Sequence, residues 1–136
     1  MRLCGHCKGL HERGEPCSCR TPRQRTYDVQ RGTRQARGYD AEWYRWRARV
    51  LQDYDMSLCG DRPPQAPATT DSLCLQQGLA RKGDDLDHIS PITDKADPRR
   101  LDESNVQLLC DGPPNHCHSV KRQRESHASR IHRGDV

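Results

Sequence analysis

At 136 residues the chain has room for one domain and a small appendage. Apolar residues make up 32%, charged residues 31%, Phe is absent and mean hydropathy is −1.10, so only a thin core can form. This composition excludes a membrane-spanning helix and calls for staples, for which eight cysteines are present.

The net charge of +4 is unevenly spread. Residues 1–49 carry 12 Lys and Arg against 5 Asp and Glu, a net of +7. Residues 50–118 carry 6 against 12, a net of −6, and residues 119–136 carry 5 against 2, a net of +3. Basic flanks suit a polyanion such as nucleic acid. An acidic middle that also holds histidines suits a bound cation. Met1-Arg2-Leu3-Cys4 leads into polar sequence rather than an apolar leader. The expectation is a cytoplasmic protein without a membrane partner, where paired cysteines favour zinc over disulfides.

Residues 1–19 read as a zinc knuckle. Cys4 and Cys7 have a two-residue gap, Cys17 and Cys19 a one-residue gap, and four thiolates close a tetrahedral structural site. His6 and His11 are alternative ligands. Residues 20–38 hold Arg20, Arg23, Arg25, Arg31, Arg34 and Arg37 with no apolar period, which predicts a flexible basic linker arm that follows phosphates. Asp40 caps a predicted helix from Ala41 to Asp53, with Trp43, Trp46, Val50 and Tyr54 on one face.

Residues 55–86 carry Cys59, Cys74 and a loop with Pro63, Pro64 and Pro67, which suits neither helix nor central strand. Leu86 to Ile92 predicts a short strand and turn, residues 94–104 a polar loop, and Val106 to Cys110 a second strand. Gly112-Pro113-Pro114 is a turn, and residues 117–127 a short helix, basic on its exposed side. Residues 128–136 read as a flexible tail. The result is an α+β chain with a ββα unit, its domain spanning residues 39–127.

Asp87-His88 precedes the first strand's end, Asn105 precedes Val106-Gln107-Leu108-Leu109-Cys110, and Cys117-His118 leads into Lys121-Arg122-Gln123-Arg124. This order of His, Asn and His, with these neighbours, resembles the HNH endonucleases of bacteria and phages over residues 37–126. The resemblance implies a ββα-metal (His-Me finger) nuclease that hydrolyses DNA phosphodiester bonds, nicking or cutting both strands. His88, Asn105 and His118 would be its catalytic residues. His88 suits the general base, since an imidazole titrates near neutrality. Asp87 and His118 would hold the catalytic magnesium or manganese ion. Asn105 would tie the loop between the strands and orient the base, with direct metal ligation as the second choice.

Cys59, Cys74, Cys110 and Cys117 fall where such nucleases carry a structural zinc, though the gaps here are wider; His116 is an alternative to Cys117. Zinc would then number up to two per chain. Arg23, Arg25, Arg34, Arg37, Lys121, Arg122 and Arg124 are the candidate phosphate contacts, which give affinity without sequence information. If the chain is phage-encoded, the resemblance implies work in DNA processing or packaging beside other phage packaging proteins, in the host cytoplasm. The rival expectation is a non-catalytic, zinc-dependent nucleic-acid-binding protein.

Overall fold

The computed structural model describes residues 1–15, 17–19 and 21–132, without the side chains of Arg25, Asp28, Arg130, Ile131 and His132. Arg20 and the Arg25 side chain, both expected on phosphate, lie outside the described residues, as does the tail from 133.

The chain opens with a two-stranded antiparallel hairpin, β1 (Arg2–Leu3) and β2 (Leu10–His11). Its turn carries Cys4 and Cys7. The expected flexible arm is corrected over its first half, where α1 (Pro22–Arg31) forms. The local cause is a capping box. Thr21 Oγ1 accepts from the Gln24 amide at 3.2 Å, and Gln24 Oε1 accepts from the Thr21 amide at 2.9 Å. Pro22 at the first helical position loses no hydrogen bond there. Gly32 ends the helix at a positive φ of 74°.

The predicted helix at 41–53 forms as α2 (Ala41–Asp53). Asp40 Oδ1 accepts from the Trp43 amide at 3.0 Å. Trp43, Trp46 and Val50 are buried and, with Met56, Leu86, Val106 and Leu108, make the core. Burial contributes roughly 1.5–3 kcal/mol for each large apolar side chain. A one-turn helix, α3 (Leu73–Gln76), interrupts the Pro-rich loop and places Cys74 inside.

β3 (Asp85–His88) and β4 (Val106–Leu109) pair antiparallel, with Asp87 opposite Gln107 and His88 opposite Val106. β3 starts one residue before the expected Leu86 and stops at His88; Ile89, Ser90, Pro91 and Ile92 turn away. Along β3, Leu86 and His88 are buried while Asp85 and Asp87 are half-buried, as strand alternation requires. A single turn of 3₁₀ helix, Glu103–Asn105, delivers Asn105 into β4. The far edge of β4 is stitched by Gly60 N–H to Leu108 O at 2.7 Å and Leu108 N–H to Asp61 O at 2.8 Å.

The final helix, α4 (Cys117–His132), runs five residues beyond the expected 127. A ββα arrangement therefore stands as a small α+β fold with two small sheets. No helix among the described residues is long and apolar enough to cross a membrane.

Candidate functional site

Three groups of potential metal ligands stand out among the described residues. In the first, Cys4, Cys7, Cys17 and Cys19 converge, with sulfur separations of 3.7 Å from Cys4 to Cys19 and 3.4 Å from Cys7 to Cys17. In the second, Cys59, Cys74, Cys110 and Cys117 converge, with Cys74 Sγ 3.8 Å from both Cys110 Sγ and Cys117 Sγ. A tetrahedron with metal–sulfur bonds of about 2.3 Å has edges of about 3.8 Å, whereas a disulfide would bring the sulfurs to about 2.05 Å. All eight thiols are free. Both quartets fit zinc and could hold it.

The thiols within a quartet titrate unequally: hydrogen bonds from the Cys7 and His6 backbone lower Cys4 to about 6, and hydrogen bonds lower Cys17 as well. Burial pushes Cys59 up to about 12, and the thiols of Cys17 and Cys7 push Cys19 up to about 12. Four neighbouring thiolates repel unless a cation sits among them. The alternative ligands drop out. His11 Nδ1 lies 2.8 Å from the Glu15 carbonyl, and His116 Nδ1 lies 2.8 Å from the Asp111 carbonyl. Neither these nor His6 joins a quartet.

The third group lies on the β3 and α4 faces. His118 Nε2 is 3.6 Å from Asp87 Oδ1. Its Nδ1 is 3.0 Å from Asp111 Oδ1 and 3.3 Å from Asp85 Oδ2. The expected pair Asp87 and His118 thus comes together, along with two carboxylates that the sequence reasoning missed. Ligand atoms of Asp85, Asp111 and His118 all lie within 4.8 Å of one another. Asp85 could have been found from its place two residues before Asp87 on one strand face. Asp111 follows Cys110 directly, but only the fold brings it to His118.

Burial, and then the neighbouring Asp111, push Asp85 up to about 6. Asp85 Oδ2 is itself buried without a hydrogen-bond donor. Asp87 is better served. Its Oδ2 takes Lys121 Nζ at 2.9 Å and Gln107 Nε2 at 3.2 Å, which leaves Oδ1 toward His118. The expectation that Lys121 contacts phosphate is corrected. Lys121 is 3% exposed and donates to the His88 carbonyl at 2.8 Å, and it pairs with Glu125 as well as Asp87. Burial opposes its charge, but Asp87 and Glu125 outweigh that and hold its pKa above the ordinary value.

His88 is 3% exposed and packs on Trp43, ring centroids 4.6 Å apart. Its Nε2 lies 2.9 Å from the Arg100 carbonyl. A carbonyl only accepts, so Nε2 carries the proton and Nδ1 is left with a lone pair. Nδ1 is buried and has no partner. Burial also holds the pKa of His88 below its ordinary value, which favours the neutral ring.

Asn105 spans the loop between the strands. Its Oδ1 accepts from the Ser90 amide at 2.8 Å, and its Nδ2 donates to the Ser90 carbonyl at 3.1 Å and the Arg99 carbonyl at 3.4 Å. The side chain closes the turn that follows His88.

His88, Asp85, Asp87, Asp111 and His118 border one open cleft of about 910 Å³. Arg31, Arg34, Arg37, Arg47 and Arg122 line the same cleft. Of the expected phosphate contacts, Arg34, Arg37 and Arg122 therefore face the cleft. Arg23 is exposed on α1, and Arg124 is paired with Asp71.

The chain matches no protein-family model, no curated protein and no solved structure.

Proposed function

We propose that this chain is a metal-dependent endonuclease of the HNH type that hydrolyses phosphodiester bonds in DNA. The observation that carries the reading is the buried, orphaned Nδ1 of His88, a residue bordering a cleft that is lined by both carboxylates and arginines. A neutral imidazole with one nitrogen fixed to a carbonyl and the other free is prepared to take a proton.

In the reaction, His88 Nδ1 removes a proton from water as the water oxygen bonds to phosphorus. The bond from phosphorus to the 3′ oxygen breaks, and that oxygen takes a proton from solvent. Asp87 and His118 would hold the divalent cation on the Nε2 side of the ring, while Asp85 and Asp111 flank Nδ1. Magnesium or manganese, when bound, supplies Lewis-acid charge at the scissile phosphate. Asp111 can accept the Nδ1 proton of His118, which frees Nε2 as the ligand nitrogen on the side of Asp87. Lys121 and Gln107 hold the Asp87 carboxylate, and Asn105 holds the turn after His88. The arginines that line the cleft would follow the phosphates. Zinc in the two cysteine quartets is structural in this scheme.

Plasmid cleavage with magnesium, manganese or EDTA, for wild type and His88→Ala, tests the proposal. The wild type nicks or linearises plasmid with a metal and not with EDTA. His88→Ala loses about 10²- to 10⁴-fold in rate, the range for a general base. Cleavage by His88→Ala at the wild-type rate would sink the mechanism. If no cleavage occurs with any metal while DNA still binds, the chain is a zinc-dependent nucleic-acid-binding protein.

A further inference from the structure

We propose that Arg37 grips the scissile phosphate, its Nε and terminal nitrogens donating to the non-bridging oxygens while His88 acts on the attacking water. The proposal rests on the nuclease reading and names a residue that reading leaves unassigned, beyond a general affinity for phosphates.

The arginines of the cleft are not equivalent. Arg34 Nη2 engages the Tyr44 hydroxyl, and Arg47 Nη2 donates to the Asp84 carbonyl at 3.0 Å. Arg37 has a buried Nε with no acceptor. Among the described residues it is the only arginine with an orphaned buried nitrogen. Burial, and then the charges of Arg31 and Arg34, lower its pKa. Three guanidinium groups crowd here, and no carboxylate among the described residues pairs with Arg37. A partly buried cation whose Nε lacks an acceptor is costly to keep. A planar fork whose donors lack an acceptor fits a bidentate oxyanion, and the phosphate of the proposed substrate is one.

Its position fits as well. The Arg37 guanidinium lies over the Tyr39 ring, 5.9 Å from the centroid, and that ring is 6.0 Å from the His88 imidazole. Tyr39 therefore neighbours both groups, and all three border the cleft. Arg100 ties their backbones together. Its Nη1 donates to the Gly38 carbonyl at 3.2 Å, next to Arg37, and its own carbonyl holds His88. Gly38 has φ of 100°, and a Cβ there would come within 2.7 Å of Arg100 Cδ. Only glycine permits this close seat.

Single-turnover plasmid cleavage at rising enzyme concentration separates gripping from tracking. Arg37→Ala lowers the saturating rate about a hundredfold, the scale for removing one donor to a developing oxyanion. Arg37→Lys keeps the charge but lacks Nε, and it stays at least about tenfold down. Arg34→Ala instead raises the enzyme concentration needed for half-saturation. Millimolar ethylguanidinium restores part of the Arg37→Ala rate and none of the His88→Ala rate, which a purely structural role would not allow. Thermal melting checks that each variant is folded. A saturating rate for Arg37→Ala within about threefold of a cleaving wild type would overturn the grip and leave the nuclease standing. A wild type that cleaves with no metal would overturn both.

Discussion

The backbone carbonyl of Arg100 fixes the ring of His88, and the side chain of Arg100 fixes the segment before α2. The carbonyl sits 2.9 Å from His88 Nε2. The guanidinium reaches Asp40 Oδ1 at 3.1 Å and Glu42 Oε1 at 2.6 Å. The tautomer of His88 therefore depends on a residue whose own position depends on α2. Arg100→Met keeps the carbonyl but releases its anchor. The expected outcome is a drop in cleavage rate of about tenfold, the lower range for losing a partner that orients a working side chain. The melting temperature falls as well, since Asp40 loses one of its two cations. An unchanged rate in a variant that melts lower would show that the carbonyl needs no such anchor.

Asn105 gives a sharper test of orientation against ligation. Asn105→Ala removes three hydrogen bonds to the loop after His88. Leaving the Ser90 amide unpaired costs about 1–3 kcal/mol, measurable by urea unfolding. Asn105→Asp keeps the acceptor for the Ser90 amide but turns a carboxylate toward the Ser90 and Arg99 carbonyls. It is expected to be no more stable than Asn105→Ala. Were Asn105 a metal ligand instead, Asn105→Asp would tighten cation binding and retain cleavage.

The two buried titrating groups pull stability in opposite directions. His88 has a folded pKa below its unfolded value near 6.5. Its contribution is present above about pH 6.5 and is lost as pH falls through the folded pKa. Asp85 is raised to about 6 from 3.8. Its contribution is present below about pH 3.8 and is lost as pH rises through about 6. Above about pH 6 the ionised Asp85 adds a negative charge beside the His118 ring, which a cation bound at that ring offsets. Magnesium or manganese should therefore raise the melting temperature at about pH 7.5 and much less at about pH 5. Asp85→Asn should raise the melting temperature of the metal-free protein at the higher pH and erase most of the gain on adding metal. Equal gains at both pH values, read by differential scanning fluorimetry, would rule out the carboxylates as the cation's hosts.

The parts of the fold that could be read from sequence are those where burial is periodic. Trp43, Trp46 and Val50 repeat on a helical period behind a capping Asp40, and α2 forms where that pattern says. The two strands follow Leu86, Val106 and Leu108 into the core. The helix α1 was hidden because the arginines of that stretch draw attention to charge; the signal was Thr21-Pro22 with Gln24 three residues on. The cleft was half legible. Adjacent residues placed Asp87 beside His88, but Asp111 meets His118 only because β4 ends where α4 begins, with the His118 amide bonded to the Cys110 carbonyl at 3.0 Å. Lys121 read as one more basic residue, and only packing could show that it serves Asp87. The wide cysteine gaps say nothing about where sulfurs end; Gly60 and Asp61, stitched to β4, carry Cys59 to Cys110.

The two cysteine quartets should differ in what their loss does. The inner quartet is buried throughout and forms its own cluster with Leu109, between α3, β4 and the start of α4. The outer one staples a hairpin whose strands pack on each other, and two of its four cysteines are exposed. Structural zinc contributes directly to folding in such small units. Cys74→Ser should therefore abolish the cooperative thermal transition of the domain and with it DNA cleavage. Cys7→Ser should halve the bound zinc and leave that transition in place, because the hairpin stands outside the β3, β4 and α4 unit. Zinc measured on the purified wild type should be two per chain, and one per chain in Cys7→Ser. A single zinc in the wild type that Cys7→Ser leaves bound would mean that the outer thiols hold no metal and that the hairpin is kept by its backbone alone.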